Sequence, residues 1–96
     1  MRRVQFTPAA AADLDAIWTY TLEQWGEAQA IRYIRDIQVA CSGLAEGRLS
    51  GRSAENIRPG YFKAVCGTHL IFYRFTVEAL IVIRILHQRM DIDRHL

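Results

Sequence analysis

The sequence contains few of the residues that build covalent or metal-bound frameworks: two cysteines and two prolines in 96 residues. Cys41 and Cys66 stand far apart, and neither belongs to a Cys-x-x-Cys unit, so the pattern excludes a disulfide framework and offers no metal-binding spacing. Both lie in apolar runs, which predicts buried free thiols. We therefore expect no metal and no cofactor.

A hydrophobic run long enough to cross a membrane is also missing. A transmembrane helix needs about 20 consecutive apolar residues, and Arg74 and Arg84 interrupt the longest apolar stretches of this chain. The first five residues, Met-Arg-Arg-Val-Gln, do not contain the apolar core of a secretory signal. These absences predict a cytoplasmic protein without a membrane partner.

The net charge is only +2, with an isoelectric point near 8.8, which is too small to indicate independent binding of nucleic acid. The charges are unevenly placed, however. Residues 58–96 carry an excess of Arg and Lys, whereas residues 13–36 are slightly acidic. The C-terminal part is therefore predicted to be the side that meets an acidic partner.

The chain has the length of one domain, and half of its residues are apolar, so we expect a single domain over residues 1–96. Thr7 and Pro8 suit the N-cap and the first position of a helix. Apolar residues then recur at helical spacing up to Gly26. A second helix is predicted from about Glu27 to Ala45, and the short glycine connection implies an antiparallel hairpin.

Strands are predicted at residues 3–6, 60–66, 69–75 and 80–87, with a polar loop at 46–55. Gly67-Thr68 fits a two-residue turn with glycine first. Alternation in the last strand predicts that Ile81, Ile83 and Ile85 face the helices, while Arg84 faces solvent or a partner. The order β-α-α-β-β-β predicts an α+β fold: an N-terminal strand and an antiparallel two-helix hairpin packed on a mainly antiparallel four-stranded sheet.

The aromatic residues of the two helices fall into two groups. Trp18 and Trp25 are seven positions apart on the apolar stripe of the first helix, which favours a place in the core. Tyr20 and Tyr33 lie off the main stripes, and tyrosine is enriched at interfaces, so both indicate contact area. We expect a partner-binding groove beside the core, lined by Leu22, Tyr33 and Ile37.

Several segments together resemble ParE toxins, which belong to the RelE/ParE superfamily of bacterial type II toxin–antitoxin systems. They are a short strand before a Pro-started, Ala- and Asp-rich helix, the helical hairpin, Ile-Arg-Pro-Gly at 57–60, Leu-Ile-Phe-Tyr-Arg at 70–74, and Ile-Leu-His-Gln-Arg-Met-Asp at 85–91. The resemblance extends from Val4 to Asp91 and implies a RelE/ParE-like fold.

The resemblance also implies a function. ParE toxins poison DNA gyrase, are not known as catalysts, and are held inactive by a ParD-like ribbon-helix-helix antitoxin whose C-terminal segment wraps the toxin. The complex represses its own operon, so operator DNA is contacted through the antitoxin. Because ribbon-helix-helix proteins dimerise, a hetero-oligomer with even numbers of each chain is expected.

RelE-like relatives instead cut messenger RNA on the ribosome, which requires an acid, a base and cations near the phosphate. At the position where such nucleases carry an arginine, this chain has Leu70. A leucine side chain cannot bind a phosphate. The remaining set, Lys63, His87, Arg89 and His95, is partial, and His87 also fits a structural hydrogen bond at a strand end. A messenger RNA endonuclease and a non-toxic co-repressor remain the alternatives.

We assign no catalytic residue. Arginine binds carboxylates bidentately, which favours Arg74 and Arg84 as antitoxin contacts. Six residues are predicted to bind the antitoxin or the target: Tyr33, Lys63, Arg74, Arg84, His87 and Arg89.

Overall fold

A computed structural model describes residues 2–96 and has two long helices packed on one face of a five-stranded sheet. The predicted α+β architecture is confirmed, with one strand more than expected. In chain order the elements are β1 (Arg3–Phe6), α1 (Pro8–Trp25), α2 (Glu27–Glu46), β2 (Arg52–Ser53), β3 (Phe62–Cys66), β4 (His69–Phe75), β5 (Ala79–His87) and α3 (Ile92–His95).

The start of α1 is defined by Thr7, as the sequence predicts. Its hydroxyl accepts a hydrogen bond from the Ala10 N–H at 3.0 Å, and Pro8 occupies the first turn. The same hydroxyl donates to the carbonyl of Ile83 at 2.7 Å, so the cap also ties α1 to β5. Gly26, with φ of 90°, separates α1 from α2 and lets the chain reverse.

The strand order is β1-β5-β4-β3-β2, with β1 parallel to β5 and all other pairs antiparallel. The additional strand β2 lies in the segment predicted to be a polar loop. Gly51 precedes it, and its N–H donates to the Tyr73 hydroxyl at 3.0 Å. A Cβ at Gly51 would lie 2.5 Å from the Lys63 carbonyl oxygen, so only glycine allows this close approach.

A β-bulge at Ile83 changes which side chains of β5 face the helices. Phe72 is opposite Arg84 and Tyr73 is opposite Val82, so Ile83 has no partner on β4. One extra residue reverses the alternation beyond it. The residues of β5 that join the core below the helices are therefore Leu80, Val82 and Ile85. The prediction that Ile81 and Ile83 face the helices is wrong, because it assumed unbroken alternation.

The core lies between the helices and the sheet. The predicted seam of α2 is buried at Ala30, Ile37, Cys41 and Leu44. Ile37 was predicted to line a groove and is instead fully buried in this core. Trp25 was predicted to be in the core but is 71% exposed, because the last turn of α1 extends over a groove rather than over the sheet.

The two thiols are free, and burial distinguishes them. Cys41 is buried and Cys66 half-buried, so the prediction of buried thiols is confirmed fully only for Cys41. Burial, and then the charge of Cys66, raises the pKa of Cys41 to about 12. Burial, and then Asp36, raises the pKa of Cys66.

We predict that Cys41 stays unmodified in the native protein. Its thiol is buried away from reagents, and its raised pKa keeps it protonated near neutral pH. In a Cys66→Ser variant of the folded protein, Ellman's reagent should react with Cys41 only as fast as the protein unfolds. In denaturant the same thiol should react at once. Rapid reaction of the folded variant would contradict the burial of Cys41.

Candidate partner-binding groove

A groove of about 750 Å³ lies between the two long helices and the ends of β4 and β5 where those strands approach the Gly67-Thr68 turn. We call it the helix–sheet groove. Its largest apolar side chains are exposed at the rim: Tyr20 at 63%, Trp25 at 71% and Met90 at 45%. Large apolar side chains exposed together around a groove are typical of interaction sites. The remaining lining residues are Asp13, Ala16, Ile17, Thr21, Gln29, Tyr33, Thr68, His69, Ile85 and His87.

Two histidines face each other across the strands that line the groove. His69 of β4 is paired in register with His87 of β5, and the ring centroids are 5.3 Å apart. The neighbouring Gln88 N–H donates to the Thr68 carbonyl at 3.0 Å. This places His69 and His87 at a non-hydrogen-bonded position, where facing side chains come closest. The groove therefore contains two imidazoles in direct proximity.

Tyr33 of α2 connects the helical hairpin to this pair. Its hydroxyl lies 2.6 Å from His69 Nδ1, accepts from the Thr68 N–H at 3.2 Å, and lies 3.2 Å from the Cys66 carbonyl oxygen. The predicted turn with glycine first is confirmed, with φ of 58° at Gly67. A Cβ at Gly67 would lie 2.6 Å from the Tyr33 ring. The glycine therefore serves both the turn and the close approach of Tyr33.

The pKa of His69 is lowered from its ordinary value. Burial is the largest cause, the proximity of His87 acts in the same direction, and Asp13 partly opposes both. His69 is therefore neutral near pH 7.

We predict that His69 makes the fold less stable in mild acid. In the unfolded chain this histidine binds a proton at the ordinary pKa of about 6.5, whereas in the folded chain its pKa is lower. The free energy of unfolding therefore falls as the pH drops below about 6.5, by at most about 1.4 kcal/mol per pH unit. Urea unfolding of wild type and His69→Gln over this range measures the effect. An equally steep loss in the variant would contradict the assignment to His69.

Arg84 is half-buried and is held by hydrogen bonds within the molecule. Its Nε and Nη2 donate to the two carboxylate oxygens of Asp13, both at 2.8 Å, and its Nη1 donates to the His95 carbonyl at 3.0 Å. Asp13 also accepts a hydrogen bond from the Ile85 N–H at 2.9 Å. This N–H lies beyond the end of β1, so the carboxylate takes the place of a strand partner for β5 there. The charge of Arg84 is therefore paired within the molecule, across 71 positions of sequence, and does not face open solvent as a free charge. Its contact with a partner stays a prediction.

The other predicted site residues divide between two surfaces. Tyr33 and His87 line the helix–sheet groove. Lys63 and Arg74 point to the outer face of the sheet, the face turned away from α1 and α2, because their neighbours on β3 and β4 face the core. Arg89 follows β5, is exposed, and donates its N–H to His87 Nδ1 at 3.1 Å. The six residues thus do not form one site.

Sequence reasoning missed His69 as a groove residue. The turn at 76–79 pairs Phe75 with Leu80, and unbroken pairing from there would place His69 opposite Leu86. The bulge at Ile83 shifts the register by one residue and brings His87 opposite His69. No local sequence signal marks this bulge, because Ile83 lies in a continuous apolar run.

The part of the chain covered by residues 2–96 contains no cluster of three or more His, Cys, Asp or Glu side chains arranged to hold a metal ion. Within the same residues, none of the helices combines the length and the apolar character that a membrane span requires.

Comparison with known proteins identifies the family. Residues 4–92 match the family described as ParE toxin of type II toxin-antitoxin system, parDE. A protein named Toxin ParE1 from Mycobacterium tuberculosis is 47% identical over 95 residues, covering 98% of this chain and 97% of the relative. Toxin ParE1 from Caulobacter vibrioides is 42% identical over 96 residues, covering 100% and 99%.

Solved structures agree with the sequence relatives. A structure described as the chromosomal ParDE TA system from P. aeruginosa superimposes with a TM-score of 0.77 at 25% identity, covering 91% of this chain and 96% of that one. The E. coli DinJ-YafQ toxin-antitoxin complex, with a TM-score of 0.62 and 12% identity over 90% and 91% of the two chains, shares the fold alone. The chain described here therefore belongs to the ParE toxin family of type II toxin–antitoxin systems.

Proposed function

We propose that this chain inhibits DNA gyrase by binding it, and that a ParD-like ribbon-helix-helix antitoxin holds it inactive. The observation that carries the proposal is the match to the ParE toxin family over residues 4–92, supported by full-length relatives named Toxin ParE1. The similar structure from P. aeruginosa is named a ParDE system, which supports an antitoxin of the ParD type.

The helix–sheet groove is the surface we assign to the antitoxin. Trp25, Tyr20 and Met90 expose large apolar area around it, and aromatic residues and methionine are enriched at protein interfaces. An amphipathic segment that buries its apolar side against this rim would cover surface that is otherwise an association hazard.

Binding rather than catalysis is proposed because the chain offers an incomplete set of groups for cutting RNA. Leu70, on the outer face of β4, stands where a nuclease would have an arginine, and the Arg84 guanidinium is already bound to Asp13. Lys63 and Arg74 lie on that face, whereas His69 and His87 lie on the opposite one, in the groove. The charge stabilisation that phosphodiester cleavage needs is therefore not assembled from these residues.

Purified toxin should inhibit gyrase supercoiling of relaxed plasmid and accumulate cleaved gyrase–DNA complexes. Preincubation with the antitoxin should restore supercoiling. Gyrase that keeps full activity in an excess of folded toxin would overturn the proposed target.

A ribosome-dependent messenger RNA endonuclease is the second candidate, and one observation favours it: His87 and Arg89 lie next to each other, with His69 opposite. Primer extension on cellular transcripts after induction would then show cuts at codon intervals. A His87→Ala, Arg89→Ala variant should lose toxicity on this mechanism and remain toxic if toxicity depends on gyrase binding elsewhere. If cells that express this chain without antitoxin grow normally, both toxic mechanisms are excluded and the non-toxic co-repressor role is favoured.

The complex is proposed to contain even numbers of toxin and antitoxin chains and to bind operator DNA through the antitoxin. The toxin's net charge of +2 is too small to dominate binding to DNA phosphates. Light scattering of the copurified complex measures its composition. Gel shifts with toxin alone, antitoxin alone and the complex identify the chain that contacts DNA.

A further inference from the structure

The imidazole rings of His69 and His87 both belong to the lining of the helix–sheet groove. Each Nδ1 is already engaged inside the protein, that of His69 by the Tyr33 hydroxyl at 2.6 Å and that of His87 by the Arg89 N–H at 3.1 Å. Among the described residues, neither Nε2 has a hydrogen-bond partner, and both rings line the groove. The Nε2 atoms are therefore the polar groups that the pair offers to a bound partner.

His87 is held as a donor. Because its Nδ1 accepts a backbone N–H, the proton of the neutral ring is on Nε2. Placing a proton on Nδ1 would displace the Arg89 hydrogen bond. The group that docks against His87 must therefore be a hydrogen-bond acceptor.

His69 can gain a proton without losing a hydrogen bond. In the neutral ring, Nδ1 can accept the Tyr33 hydroxyl proton and Nε2 then carries the ring hydrogen. In the charged ring, Nδ1 donates to the Tyr33 oxygen, and the hydroxyl proton turns to the Cys66 carbonyl, 3.2 Å away. Tyr33 thus supports both protonation states, so an anion beside Nε2 can draw a proton onto His69.

Among the described residues, no carboxylate of the groove is hydrogen-bonded to these imidazoles. Asp13, from α1, is the acidic residue of the groove lining, and both of its oxygens bind Arg84 while one also accepts the Ile85 N–H. The other titratable or charged residues around His69 are Tyr33 from α2, Cys66 from β3, His87 from β5 and Arg89 just beyond it. None of these side chains is a carboxylate, and Arg89 is a cation, so the site complements an anion.

We propose that His69 and His87 together bind a carboxylate of the antitoxin segment in the groove, and that binding takes up a proton on His69. The inference rests on the proposed function, since it assigns the occupant to the antitoxin. It adds the chemistry of the contact: an Asp or Glu side chain bridges the two Nε2–H groups while the apolar residues of the same segment cover Trp25, Tyr20 and Met90. Affinity should therefore be linked to pH.

Calorimetry of this chain with its copurified ribbon-helix-helix protein, separated and remixed, measures the linkage. Titrations in two buffers of different ionisation enthalpy give the number of protons taken up. We expect net uptake of up to one proton near neutral pH, and an association constant that rises by up to about tenfold for each unit of falling pH.

Three variants assign the effect. His69→Gln should abolish proton uptake. Tyr33→Phe removes the hydroxyl that supports the charged ring but retains the histidine, so it should reduce uptake even if His69→Gln folds poorly. His95→Gln is the matched control, because it removes the third histidine, whose side chain is exposed and makes no hydrogen bond within residues 2–96. It should leave both affinity and uptake unchanged.

The outcomes separate the two proposals. A tight complex that takes up no proton, or that takes up the same number in His69→Gln, overturns the carboxylate site and leaves the antitoxin assignment standing. Failure of the two proteins to bind at any pH overturns the antitoxin assignment and the site with it. Replacing each Asp and Glu of the antitoxin by Asn and Gln should identify one residue whose loss removes uptake.

Discussion

Replacing Asp13 by alanine is expected to lower the free energy of unfolding by about 3 kcal/mol, the loss typical when one partner of a largely buried ion pair is removed. The Asp13 side chain is 14% exposed and that of Arg84 is 23% exposed. The substitution removes three hydrogen bonds, leaves the Ile85 N–H without its acceptor, and leaves the guanidinium with the His95 carbonyl but without its carboxylate. Urea unfolding followed by circular dichroism measures the difference.

Asp15→Ala is the matched control, because Asp15 lies on the same helix and is exposed. Its substitution removes the same charge as Asp13→Ala. It should change stability by less than about 0.5 kcal/mol. A double-mutant cycle with Arg84→Met should show strong coupling to Asp13 and none to Asp15. Equal effects of the two aspartate variants would contradict a specific role for the ion pair.

Replacing Trp25 by alanine is expected to weaken antitoxin binding by about 30-fold or more, which corresponds to the roughly 2 kcal/mol of an interface hot spot. Trp25 is 71% exposed on the rim of the helix–sheet groove, so its removal should leave the free energy of unfolding nearly unchanged. Calorimetry with the antitoxin measures the affinity, and urea unfolding measures the stability of the same variant.

Val77→Ala supplies the control for Trp25. Val77 is 93% exposed, in the turn at the end of β4 and β5 opposite to the groove. Its truncation should affect neither affinity nor stability. If Trp25→Ala binds the antitoxin as tightly as wild type, the antitoxin does not cover this rim and the groove assignment is wrong.

The helical hairpin was predictable because its signals are local. Thr7 and Pro8 begin α1, Gly26 ends it, and the seam through Ile37 and Cys41 repeats at helical spacing. A cap bonds within one turn, and a buried stripe needs only the helical period, so both can be recognised from neighbouring residues. The short strand β2 was missed because two residues carry no alternation.

The candidate site was predictable only in part. Tyr33 and His87 were identified as contact residues, and both line the groove. Trp25 was assigned to the core because helical spacing reports which face a residue lies on, and does not report how far the sheet extends beneath that face. The pairing of Arg84 with Asp13 was not predicted, because the two residues are 71 positions apart in the sequence.

The sequence by itself determined the helices, the Gly67-Thr68 turn, the order of the main elements and the family, since each depends on spacing or on motifs between near neighbours. The tertiary structure alone decided the bulge at Ile83, the meeting of His69 with His87 and the pairing of Asp13 with Arg84. The physical reason is that a one-residue shift in strand register moves side chains to the opposite face, and contacts across the whole fold select that shift.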